Sequence, residues 1–450
     1  MKNVITSNTY CSLPFSSLDI ATNGNYRICC EIDWTNEEAI SMNLIKNDNG
    51  NPYNVFDKKP SEIFNNKEFL SIRKQMLDNE KPKMCKSCFD REENVKSYSV
   101  ISRRKRFNRK LNLDSFDINQ DIKLDVKKIN KLFIRMGNLC NLKCRMCNPY
   151  SSSPWVDDWN DMAKKTNMLS FSKKMWYLTD DKKNELNSYD WSSNNLWIKN
   201  IEEIAENLQL IDFAGGEPTL FVEQYKLYDM LIEKDCAKNI TLLMTTNLTN
   251  IPNQFLQYID KFKKVVLNAS IDGYKDVNRY VRYPTAWSSV EKNLEKYRSY
   301  KNVVLKNQCT IQMYNILHFD KFLNWIKEKE KNNFKFDSVL FNSLRSPVQL
   351  DIRVLPERLK NLAYERLKPF INDPTFFHKN IINNKECPVQ SIVDWMHSSD
   401  LSQHLNHFFA YTTAIDMQRN ESLLNIAPEF EPYYTVWKNY VIKNKNLMSS

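Results

Sequence analysis

From Leu132 onward, short β-type runs alternate with helical patterns, and few folds accommodate that order. The candidate strands are Leu132 to Met136, Gln209 to Phe213, Ile240 to Thr245, Val265 to Ser270, Val303 to Gln312 and Ser338 to Phe341. Helical patterns separate them, among them Gln224 to Lys234, Asn253 to Phe262, Val290 to Tyr300 and Phe319 to Lys329. Strand and helix in repeated succession predict a parallel α/β sheet of about six βα units. Such folds bind ligands at the C-terminal ends of their strands. The first strand runs out into Met136–Cys147, which carries Cys140, Cys144 and Cys147 within eight residues.

Glycine usage points to the same places. A chain of this length ordinarily carries roughly thirty glycines, and this one has six. Gly24, Gly137, Gly215, Gly216 and Gly273 fall in stretches that other signals single out, and Gly50 does not. Glycine is hard to replace where φ is positive or where a backbone approaches closely.

Three thiolates on one loop can take three corners of an iron–sulfur cube and leave the fourth iron without a protein ligand. A structural zinc or a redox pair is the plainer alternative. The CxxxCxxC spacing of Cys140, Cys144 and Cys147, followed by Gly215-Gly216-Glu217-Pro218, resembles the radical S-adenosylmethionine (SAM) superfamily. The resemblance implies a partial (β/α)6 barrel over residues 130–345. It also implies a [4Fe–4S] cluster whose open iron binds SAM, and reductive cleavage of SAM to a 5′-deoxyadenosyl radical that takes a hydrogen from the substrate. By the same resemblance Gly215, Gly216 and Glu217 meet the SAM ammonium, and Ser270 and Asp272 belong to a Ser-x-Asp-Gly element near its ribose or carboxylate. Asn247, Gln312 and Met146 are further cofactor contacts. Two departures stand out: Leu248 replaces the glycine of a Thr-Asn-Gly element, and Met146 replaces an aromatic. Asn315, with Gln312, can hydrogen-bond SAM or substrate, or belongs to a polar strand-to-helix loop, and Arg282 and Arg345 are weaker candidates.

The N-terminal region carries a second thiol set, Cys11, Cys29, Cys85 and Cys88. Leu18 to Cys29 alternates around Asn23-Gly24, which predicts a hairpin able to bring its ends together. Cys-x12-Gly-x4-Cys followed by CxxC resembles the SPASM/twitch extension, which implies an auxiliary [4Fe–4S] cluster over residues 1–110. In most relatives that extension follows the barrel, and here it precedes it. A four-cysteine zinc site has the same ligand count. Cys30 is read as a bystander, and Cys236, Cys309 and Cys387 as buried apolar side chains.

Composition sets the outer bounds. The net charge of +10 permits an acidic partner without demanding one. Ser102 to Lys110, rich in arginine and lysine, reads as a solvated helix face or linker, or as a contact for RNA. The start of the chain has no apolar leader, and no stretch is apolar enough to span a membrane, so the expected location is cytoplasmic. Residues 151–199 form an insertion containing Trp155, Trp159, Trp176, Trp191 and Trp197, a lid or a packing layer. Residues 346–450 read as helical, with His397, His404 and His407 as surface or core-polar groups.

The expectation is therefore a radical SAM enzyme that modifies a peptide or protein and draws electrons from a flavodoxin or ferredoxin. RNA modification is the second enzyme reading. A non-catalytic iron–sulfur or zinc protein is the alternative of another class.

Overall fold

The computed structural model describes residues 7–31, 37–94, 102–109, 122–171, 173–187, 189–376 and 388–448. Ser17–Ile20 (β1) and Tyr26–Arg27 (β2) form the hairpin, with Gly24 at φ +81° in the turn between them. Helices Lys86–Asn94 (α1) and Arg103–Arg109 (α2) precede strand Lys131–Arg135 (β3) and helix Trp155–Leu169 (α3). The barrel then runs through Leu210–Ala214 (β4), Gln224–Glu233 (α4), Thr241–Thr246 (β5), Asn253–Tyr258 (α5) and Lys264–Ala269 (β6). It continues with Asp276–Val281 (α6), Trp287–Arg298 (α7), Val303–Ile311 (β7), Phe319–Lys331 (α8) and Ser338–Ser343 (β8). Helices Leu405–Arg419 (α9) and Glu431–Met448 (α10) belong to the C-terminal region, where the described residues contain no strand. Cys387 and Lys110 lie outside the described residues, as does most of the stretch joining α2 to β3.

The six strands read from the sequence are β3 to β8, each within two residues of its expected ends. They pair in parallel and in chain order, in one sheet ordered β2-β1-β3-β4-β5-β6-β7-β8. Neighbours in sequence are neighbours in space. Crossovers of a single hand then put the helices on one face and curl the sheet into a partial barrel. The alternation around Gly24 predicted the hairpin but not its partner. β1 joins the barrel sheet directly, parallel to β3, with Asp19 opposite Phe133. Leu18 and Ile20, both fully buried, continue the apolar row of Leu132 and Ile134. The cysteine-rich N-terminus is thereby pinned to the first barrel strand.

The two faces of the sheet differ in chemistry. Phe213, Met244, Leu267 and Leu305 are fully buried, and Phe213 meets Tyr228 of α4 edge-on at 5.9 Å. The opposite face carries Asp212, Thr245, Asn268, Lys306 and Gln308, with Thr245 paired to Asn268 and Asn268 to Lys306. Filled barrels stack branched apolar side chains on that inner face. Here it is mixed: Phe133, Leu243, Val266 and Val304 share the row of Asp212, and polar Asp212, Thr245, Lys306 and Gln308 are partly exposed.

Candidate functional site

Cys140, Cys144 and Cys147 leave the C-terminal end of β3 on a loop gripped from four directions. From the end of β4, the Glu217 N–H donates to Leu139 O at 2.8 Å. Gly216 makes that approach possible, since at φ +54° a Cβ would lie 2.2 Å from Leu139 O. From the end of β5, the Asn247 amide donates to Asn141 Oδ1 at 2.9 Å. Beside α6, the Lys143 N–H donates to Tyr283 O at 2.6 Å and the Arg145 N–H to Val281 O at 2.8 Å. From the insertion, Ser152 Oγ donates to Leu142 O at 2.6 Å and Trp155 Nε1 to Cys144 O at 3.1 Å.

Burial pushes the Cys140 thiol up to about 12. Cys147 is raised by its hydrogen bond with Cys144 and by burial. Cys144 is lowered, first by that hydrogen bond and also by Arg282. Taking up a metal must displace the thiol protons, and a nearby cation lowers the cost of the thiolate. The Arg282 guanidinium stands 4.0 Å from Cys144 Sγ.

The other sequence candidates gather around this loop. Glu217 is 1% exposed. Its carboxylate accepts from Thr246 Oγ1 and the Asn247 N–H, both at 2.7 Å, and from the Thr219 hydroxyl at 2.8 Å and N–H at 3.2 Å. It ties the ends of β4 and β5 together. Burial raises its carboxyl, and these donors offset part of that rise. Leu248 sits at φ +61° and is fully buried, so the chain keeps a glycine-like backbone while filling the position with an apolar side chain. Ser270 follows β6 and is nearly buried, its N–H donating to Thr246 O at 2.8 Å. Met146 packs partly buried against the core. Asp272 is fully buried, its Oδ1 accepts from the Thr310 N–H at 2.7 Å, and its Oδ2 lies 2.7 Å from Arg282 Nε without a hydrogen bond. Gln312 differs: it is fully buried at the end of β7, and neither its amide oxygen nor its nitrogen has a partner. Orphaned groups of this kind are costly, and a bound ligand is one way to satisfy them.

Sequence reasoning missed the C-terminal clamp. Arg145 is fully buried, and its guanidinium pairs with Asp416 at 2.5 Å and Glu421 at 2.9 Å and stacks 3.4 Å from the Tyr280 ring centroid. Tyr411 OH on α9 donates to Arg145 O at 2.6 Å, and Arg419 donates to Lys143 O. The one readable signal was an arginine between Cys144 and Cys147. The insertion packs on the same loop through Ser152 and Trp155. Trp155, Trp159, Trp191 and Trp197 are buried, while Trp176 is exposed and lies 5.4 Å from Trp159.

Cys11, Cys29, Cys85 and Cys88 line one small cavity together with Arg103 and Arg104. Burial pushes Cys11 up to about 12 and raises Cys85 and Cys88. Cys29 is raised first by a hydrogen bond with Cys30. The basic run is not a uniformly solvated face: Arg103 and Arg104 turn inward, toward the thiols. Arg104 donates to Asn8 O at 2.9 Å and Tyr10 O at 2.8 Å and forks onto Glu92, and Arg103 lies 4.5 Å over the Phe133 ring. Cys236 and Cys309 are buried. Among the described residues no three His, Cys, Asp or Glu side chains converge closely enough to hold a single metal ion. No helix among them is long and apolar enough to cross a membrane.

Residues 134–326 match the sequence model of the Radical SAM superfamily. No curated protein matches the chain. Among solved structures, native anSMEcpe with bound AdoMet is 22% identical with a TM-score of 0.35, over 54% of this chain and 60% of that one. Streptococcus suis SuiB bound to precursor peptide SuiA is 14% identical with a TM-score of 0.32, over 53% and 46%. TYW1 with a lysine-pyruvate adduct bound is 14% identical with a TM-score of 0.29, over 52% and 73%. This chain thus spans less than two thirds of the first two solved chains.

Proposed function

We propose, for a chain that belongs to the radical SAM superfamily through residues 134–326, that it removes a hydrogen atom from a polar substrate held against the inner face of the barrel. The carrying observation is the loop with Cys140, Cys144 and Cys147 at the C-terminal end of β3, bonded through Leu139 to the Gly216–Glu217 turn at the end of β4. When bound there, a three-thiolate [4Fe–4S] cluster supplies the electron that cleaves SAM to the 5′-deoxyadenosyl radical. The donor set suits it: three thiols on one loop, a guanidinium 4.0 Å from one of them, and an unpartnered amide at Gln312.

This chain's own residues do the positioning. Glu217 and Asn247 hold the β4 and β5 ends against the loop, the Trp155 layer covers it, and Gln312 offers a donor and an acceptor to the SAM adenosine or the substrate. Asp212, Thr245, Asn268 and Gln308 make the inner face fit for hydrogen-bonding ligands. Cys11, Cys29, Cys85 and Cys88 are assigned an auxiliary [4Fe–4S] cluster, its negative charge met by Arg103 and Arg104. The favoured substrate is a peptide or protein segment, and a flavodoxin or ferredoxin is the expected reductant. The inward turn of Arg103 and Arg104 removes two cations from the run that motivated an RNA substrate and leaves Lys105 and Arg106 exposed.

The test is anaerobic reconstitution followed by dithionite and SAM, with 5′-deoxyadenosine as the readout. Wild type should form it, and Cys140/Cys144/Cys147→Ala should not. Intact clusters without any 5′-deoxyadenosine in wild type would sink the reading.

A further inference from the structure

We infer that Arg282 sets how readily the site on Cys140, Cys144 and Cys147 accepts an electron, and that Asp272 holds Arg282 there and moderates its charge. The inference rests on the reading of those cysteines as cluster ligands. Its geometry begins with the backbone. The Lys143 N–H bonds Tyr283 O at 2.6 Å and the Arg145 N–H bonds Val281 O at 2.8 Å, so two hydrogen bonds straddle Cys144 on one segment and Arg282 on the other. The two residues face each other because their neighbours are paired.

The side chain then reaches the sulfur, with Nη1 4.0 Å from Cys144 Sγ. The guanidinium is not free to leave. It is 11% exposed, and its Nε touches the fully buried Asp272 carboxylate at 2.7 Å, the N–H pointing off the line between them. Asp272 is itself held at three more points. Its Oδ1 accepts from the Thr310 N–H at 2.7 Å, its own N–H donates to Asn278 Oδ1 at 2.9 Å, and its carbonyl accepts from Asn315 Nδ2 at 2.7 Å. Asp272 therefore acts through Arg282 rather than on the cofactor, and both are positioning residues.

A fixed cation beside a ligand sulfur favours the state that has gained an electron, in a medium that screens weakly. A carboxylate behind the cation works against it. Removing each charge should therefore move the reduction potential in opposite directions, a pattern that simple loosening of the site cannot produce.

The experiment is a redox titration of the reconstituted full-length protein, following the EPR signal that SAM perturbs, which separates this site from the N-terminal thiols. Arg282→Gln should make reduction at least tenfold less favourable, about 59 mV for one electron, with iron content unchanged. Asp272→Asn, which keeps the shape and can still accept from the Thr310 N–H, should shift the potential the other way. An Arg282→Gln midpoint equal to wild type at full iron loading, or shifts of the same sign in both variants, would overturn the proposal. If Arg282→Gln fails to load iron, the sign of the Asp272→Asn shift decides. Absence of any SAM-sensitive signal in wild type would instead refute the cluster assignment beneath it.

Discussion

The two thiol sets are built in opposite ways. Cys140, Cys144 and Cys147 come from one loop, and the chain spends backbone and side-chain bonds from β4, β5, α3, α6 and α9 on gripping it. Cys11, Cys29, Cys85 and Cys88 come from three separate segments, and their common cavity exists only because β1 docks on β3 and Arg104 fastens residues 8 and 10 to Glu92. A local ligand set needs help to hold its shape, whereas a dispersed one needs help to exist. Each set also has its own cation: Arg282 at the loop, Arg103 and Arg104 at the cavity.

The largest effect separates the two directly. Cys140/Cys144/Cys147→Ala should lose about four of about eight irons and all SAM cleavage. Cys11/Cys29/Cys85/Cys88→Ala should lose a similar amount of iron yet still release 5′-deoxyadenosine in the absence of substrate. Equal loss of cleavage from both variants would erase the division of labour.

Next come the arginines that fasten each set. Arg145→Ala leaves Asp416 and Glu421 facing each other, 12% and 6% exposed, and should cost about 3–5 kcal/mol in denaturant unfolding while depleting iron from the loop. Arg104→Ala should deplete the N-terminal set alone. Iron lost from the same site in both variants would show that the two fastenings are not independent.

Glycines give a finer contrast. Gly216→Ala meets Leu139 O and a positive φ, so it should cost about 1–3 kcal/mol in backbone strain and displace the cysteine loop. Gly50→Ala has the same sign of φ with nothing within 4 Å, and should leave iron binding untouched. Leu248 sharpens the point. Leu248→Gly should be the more stable of two cavity-forming variants, ahead of Leu248→Ala by about 1 kcal/mol, because only glycine relaxes at φ +61°. The reverse order in thermal unfolding would mean that the backbone relaxes after substitution.

The smallest effect is in the pH response. Burial raises the Glu217 carboxyl, so its folded pKa lies above the unfolded one. Its contribution to stability is then complete below the unfolded value and declines as pH rises through the folded one. Glu217→Gln lacks that term, so the stability of wild type relative to the variant should fall across that window. A flat difference would show that the four donors to Glu217 fully compensate its burial.

Much of the fold was legible because its signals are short-range. Strand ends came within two residues since apolar alternation and strand-end glycines are local properties. The cysteine loop and the Gly215-Gly216-Glu217 turn were legible because both are contiguous. The Arg145 clamp was not, because its carboxylates lie more than 250 residues away and leave no periodic trace. The basic run was only partly legible for a related reason: charge counted along the chain does not tell which arginines point inward.

By itself, then, the sequence determined the ligand chemistry of the loop, the order of the barrel strands and the places where the backbone must approach closely, all of which depend on residues within a turn or a strand of one another. Only the tertiary structure decided that β1 joins the sheet beside β3, that four distant thiols share a cavity, and that Asp272 faces Arg282. Those outcomes depend on which strands lie side by side, and that is settled when the whole sheet closes on its core.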